Sequence, residues 1–192
     1  VGRTQPAPAA TAEPALVRFA SASCQNYQDG FYTAHADIAA QQLDFVVFLG
    51  DYIYEGTGIA TVGENFTVRT HGTPEVTTVD EYRNRYALYK SDPDLQAAHA
   101  SCPWYVTWDD HEVENNYAAL VPQDPADAAT FAERRRQAYQ VWWEHQPVDL
   151  PPPVDDDFTI YRSATWGTLV DLAVLDGRQY RSDQACGDPD LS

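Results

Sequence analysis

Residues 45–49, Phe-Val-Val-Phe-Leu, form an unbroken apolar run that reads as a central parallel strand covered on both faces. The run closes on Gly50-Asp51-Tyr52-Ile53-Tyr54-Glu55, leaving a carboxylate and a phenol three residues apart just past the strand. A second apolar stretch, residues 104–108, ends the same way in Asp109-Asp110-His111-Glu112, with Asn115 and Asn116 just beyond. In α/β proteins the polar groups that do chemistry gather where a strand ends and its loop begins. Oxygen and nitrogen donors converging from two strand ends have the makeup of a metal cradle.

The remaining pattern alternates strands and helices, which predicts an α/β architecture. Residues 17–23 read as a first strand with Cys24 at its end. Thr33 can cap a helix reaching about Ala40, with Ala34, Ile38 and Ala39 turned inward. Residues 56–78 are rich in glycine and threonine and read as a long excursion from the strand end. Helices are expected over residues 80–90, with Val79, Tyr82, Tyr86 and Tyr89 on one stripe, and over residues 94–100. The longest, residues 127–144, puts Phe131, Ala138 and Trp142 on its apolar face and leaves Arg134, Arg135 and Arg136 solvated. A strand pair over residues 158–163 and 168–175 follows, ending in Asp176-Gly177-Arg178. Residues 1–16, rich in Pro, Ala and Thr, read as a linker or as the exit from a domain upstream, and residues 17–192 as the catalytic part of the chain.

Composition narrows the chemistry. Acidic residues outnumber basic ones 29 to 12, for a formal charge of -17. Such a surface repels nucleic acid, and a phosphate-bearing substrate would need bound cations to reverse the field locally. Cys24, Cys102 and Cys186 form no CxxC pair and no zinc-ribbon spacing. His111-Glu112 fails as a zinc-protease motif because position 115 is asparagine, and neither a GxSxG elbow nor a phosphate-binding glycine loop is present. No stretch approaches the length of a membrane span. Taken singly, Cys24 can be a small buried hydrophobe, Asp51 a turn residue and Tyr54 a packing group. Four consecutive ionisable residues after an apolar strand are harder to house unless they are solvated or neutralised by cations.

Five segments occur in order: residues 18–25 (RFASASCQ), 50–55 (GDYIYE), 82–86 (YRNRY), 108–116 (WDDHEVENN) and 175–181 (LDGRQYR). Together they resemble the alkaline phosphatase D family, within the metallophosphoesterases, from about residue 17 to residue 188. The resemblance implies a two-sheet sandwich flanked by helices with metals at the strand ends, of which this sequence would carry the N-terminal half. It also implies hydrolysis of phosphate monoesters or diesters by a metal-bound hydroxide, with Fe3+ and Ca2+ as cofactors.

Carried over residue by residue, Cys24, Asp51 and Tyr54 would ligate ferric iron, and Asp51 would bridge to the second cation. Thiolate and phenolate are strong donors to ferric iron, while carboxylates suit calcium. Asp110 and Asn116 would complete the oxygen ligation, although the choice between Asp109 and Asp110, and between Asn115 and Asn116, needs geometry. His111 would sit beside the phosphate as hydrogen-bond donor or proton relay. Asp176 and Arg178 lie at another strand end, with a supporting or structural role. The family's later histidine-bearing segment is not in this sequence, so the resemblance implies a complementary C-terminal fragment as partner. It further implies a secreted or extracytoplasmic location. Two rival readings are a phospholipase D acting on phosphatidylcholine-type phospholipid and a non-catalytic calcium-binding module.

Overall fold

The computed structural model describes residues 2, 5–57 and 68–184, so the middle of the 56–78 excursion and Cys186 lie outside the described residues. Three short strands, β1 (Phe19–Ala22), β2 (Phe45–Phe48) and β3 (Trp104–Val106), form a parallel sheet in the order β1-β2-β3. The fully apolar segment takes the centre, pairing Phe19 with Phe45 on one side and Val46 with Trp104 on the other. Helix α1 (Thr33–Ala40) connects β1 to β2; α2 (Val79–Lys90) and α3 (Pro93–Ser101) lie between β2 and β3. After β3 come a 3-10 turn, Pro125–Asp127, then the long helix α4 (Ala128–His145) and an antiparallel hairpin, β4 (Arg162–Trp166) with β5 (Val170–Val174).

Alternation along β2 divides its neighbours. Val46 and Phe48 share a face with Trp104 and Val106, and all four are buried. There His35 of α1 stacks on Phe48 and His99 of α3 stacks on Trp104. Phe45 faces the other way, between Phe19, Tyr105 and Trp166 of the hairpin. Leu49, expected inside the central strand, lies past its end and is 52% exposed. On α2 the stripe of Tyr82, Tyr86 and Tyr89 is buried as its spacing predicts. The helix starts with a capping box in which Thr78 and Glu81 satisfy each other's backbone N–H groups.

Three expectations need correction. The N-cap of α1 is Tyr32 without a side-chain cap, and His35 with Ile38, not Ala34, faces inward. The helix is rotated because His35 Nε2 bonds Gln25 Oε1 at 2.7 Å, behind the β1 loop. Arg134 and Arg135 are buried, not solvated. Arg134 is drawn in by Glu114 and Glu75, each at 2.7 Å, while Arg135 donates to the Ala119 carbonyl. Finally, the first strand of the hairpin begins at Arg162. Phe158 and Ile160 do alternate and are buried, but Phe158 packs on Trp108 and Trp142 without joining a ladder. Residues 5–16 carry no helix or strand, and the Thr168 N–H donates to Ala12 O in this segment.

Candidate metal centre

The site is built where the three parallel strands end. Past β2 the chain turns through Gly50 (φ 108) and Asp51 (φ 55), both left-handed. Cys24 N then donates to Gly50 O and Gln25 N to Asp51 O, extending the β1–β2 pairing into the loops. Gly50 is required here: a Cβ would stand 2.3 Å from Asp109 N and 2.6 Å from Trp108 C. The two acidic loops therefore touch backbone to backbone. Glu112 joins them, its Oε1 accepting from Tyr52 N at 2.6 Å and its Oε2 from Asp109 N at 2.9 Å. Burial, with Asp51 nearby, pushes the Glu112 carboxyl up to about 8.

Within this frame Asp51, Asp110 and His111 each bring one donor atom to within 4.8 Å of the others. Tyr54 donates its hydroxyl to Asp51 Oδ2 at 3.2 Å. Cys24 is exposed, and its backbone is tied to Gly50, the residue before Asp51. Cys24, Asp51 and Asn116 all have left-handed backbone, at φ 55, 55 and 58. For residues other than glycine that conformation is costly and concentrates at functional sites.

Geometry sets Asp110 apart from Asp109. Asp110 is buried, its Oδ2 accepting from Asn116 N at 2.6 Å and its Oδ1 facing Arg178 Nη2 at 3.2 Å. Asp109 instead binds Arg178 Nε at 2.6 Å, with a side chain 43% exposed, and it does not belong to the three-residue group. The Asn115 amide donates to Gln123 Oε1. Asp176 closes its own turn, accepting from Arg178 N, Gln179 N and Trp108 Nε1, so its part is structural.

The donor set fits a cation. Asp51 Oδ1 is buried and has no hydrogen-bond partner among the described residues. Burial raises the Asp51 carboxyl pKa and Asp110 and Asp109 add to the rise, against the opposing pull of His111. A multivalent cation would relieve both the orphaned oxygen and the repulsion. Burial pulls the His111 imidazole down, but Glu55, Asp110 and Asp51 outweigh it and hold it near 9. Of the residues named from sequence (Cys24, Asp51, Tyr54, Asp110, Asn116 and His111), Asp51, Asp110 and His111 converge, Tyr54 bonds Asp51, and Cys24 and Asn116 join through backbone hydrogen bonds to Gly50 and to Asp110. Sequence reading assigned no role to Glu55 or Glu112, both almost fully buried inside the same two motifs. Both stand within runs of other polar and ionisable residues, and linear spacing does not tell which of these turn inward.

Residues 19–191 match the family described as PhoD-like phosphatase. The chain is 48% identical over 189 residues to alkaline phosphatase D of Bacillus subtilis (strain 168), covering 98% of this chain and 32% of that protein. A solved structure described as "Structure of PhoD" superposes with a TM-score of 0.92 at 48% identity, over 96% of this chain and 36% of the other. The chain therefore spans about a third of the length of the relatives it matches.

Proposed function

The chain belongs to the PhoD-like phosphatase family, and from that premise we propose that it forms one wall of a metal-dependent phosphate-ester hydrolase centre. The observation that carries the reading is the buried, partnerless Asp51 Oδ1 beside Asp110 and His111. Cys24, Asp51 and Tyr54 would hold ferric iron, and Asp51, Asp110 and Asn116 would hold calcium. When bound, the cations supply neutralisation of phosphoryl oxygens and acidify water enough to give a nucleophile near neutral pH.

The chain's own residues prepare that chemistry. Glu112 ties the two ligand loops together through Tyr52 N and Asp109 N. Arg178 neutralises Asp109 and leans on Asp110 from the side of the hairpin. His111 donates a proton to a phosphoryl oxygen or to the departing alcohol. A complementary C-terminal segment of the same enzyme would close the opposite wall of the centre.

The test uses the chain within a complete PhoD-like polypeptide, loaded with metal. Asp51→Asn is expected to lower turnover of a nitrophenyl phosphate ester by about 100-fold or more, with loss of bound metal by elemental analysis. Full turnover with full metal content overturns the assignment. Choline release from phosphatidylcholine without nitrophenol release would move the substrate class to phospholipids. Bound calcium without any ester hydrolysis would favour a binding module.

A further inference from the structure

We propose that Glu55 is a positioning residue that holds the His111 imidazole by its Nδ1–H and leaves Nε2 as the nitrogen available to the phosphate ester. The inference rests on the phosphatase reading and names how its proton donor is aimed. Glu55 is 4% exposed, and it spends both carboxylate oxygens on the neighbouring loop. Oε2 lies 2.8 Å from His111 Nδ1, and Oε1 accepts from Asn115 N at 2.7 Å. A carboxylate can only accept, so the hydrogen on Nδ1 points at Glu55. The face of the ring is held by Tyr54, stacked at 4.1 Å between centroids and 28° between planes. One segment, Tyr54-Glu55, therefore fixes both the plane and the rotation of the imidazole.

That segment is itself unusually constrained. Its three successive carbonyls are all taken: Tyr54 O and Gly56 O accept from Arg85 Nη1, and Glu55 O accepts from Val76 N at 3.0 Å. The Tyr54 N–H donates to Tyr89 Oη, which also bonds His71 Nε2. Arg85 is 2% exposed and makes no ion pair among the described residues. A buried guanidinium satisfied by carbonyls and neutral side chains is expensive, and here it braces the backbone that carries Glu55. Anchoring of this kind matches what is needed to hold a reacting group within a fraction of an ångström.

A double-mutant cycle in the metal-loaded, complete polypeptide tests the inference. Glu55→Gln keeps the size of the side chain but offers Nδ1–H and Asn115 N–H only one acceptor between them. It is expected to lower kcat about 10- to 100-fold, with KM and metal content unchanged. On a His111→Ala background the same substitution should change kcat by less than about twofold, because Glu55 acts only through the imidazole. Equal losses in both backgrounds, or full activity in Glu55→Gln, overturn the proposal. Nitrogen-15 NMR of the unsubstituted protein, loaded with a diamagnetic metal, provides a readout that needs no variant to fold. His111 should show a protonated Nδ1, and an unprotonated Nδ1 overturns the proposal. A protein that shows this Nδ1–H but hydrolyses no phosphate ester would sink the phosphatase reading while leaving the Glu55 clamp standing.

Discussion

The two faces of the three-stranded sheet are finished to very different degrees. On one, Val46, Phe48, Trp104 and Val106 are buried beneath the side chains of α1 and α3. On the other, Phe45 is covered by a small aromatic group, while Phe19 at 53% and Leu49 at 52% remain open to solvent. The strand ends that carry Cys24, Asp51 and Asp110 belong to both faces, yet their precision comes from the finished one. Gln25, next to Cys24, bonds His35 of α1 and Tyr52 O, and the Tyr52 hydroxyl bonds His99 of α3. The lesson is that a metal cradle can be preorganised by one packed layer. The open face presents apolar surface that a further layer could cover.

Three measurements would break or sharpen this contrast. Phe48→Ala, on the finished face, should cost about 3–5 kcal/mol of unfolding free energy, read from urea denaturation. A loss under about 1 kcal/mol would mean that this layer does not carry the stability. Acidification should come next. Burial, together with Lys90 and His35, pulls His99 down to about 3, and burial lowers His35 as well. The unfolded chain binds protons on both rings below about pH 6.5, where the native state still excludes them. Stability contributed by the His99 ring is present above that value and is lost as pH falls toward 3. His99→Gln should flatten the dependence of the urea midpoint on pH over that range. Last, Phe19→Ser on the open face should shift stability of the isolated chain by no more than about 0.5 kcal/mol. A penalty as large as that of Phe48→Ala would erase the distinction between the faces.

Much of this was readable in the residues. The apolar run at 45–49 marked the central strand, and the abrupt change at Gly50-Asp51 and at Asp109-Asp110 marked the rim of the site. Membership of Asp110 in the cluster was not readable, because adjacent residues on an extended chain point to opposite sides and nothing local says which side holds the other donors. Arg178, in the turn that follows β5, holds Asp109 at 2.6 Å, while Asp110 stands with Asp51 and His111. The burial of Arg134 was hidden for a similar reason. Arginines on a helix read as solvated, and the carboxylates that draw this one inward, Glu75 and Glu114, lie on segments outside α4. The start of β4 was misplaced because Phe158 and Ile160 bury with strand periodicity while belonging to no sheet. Periodicity reports burial, and pairing is a separate fact.

Gly50 has a consequence for motion. With no side chain to separate them, the Asp51 and Asp109 loops share one contact surface, and Glu112 rivets it from beneath. Thermal displacement must then carry Asp51 and Asp110 along together, so the gap between them varies less than the position of either. A cation seated there would feel a nearly constant grip while the surrounding protein breathes.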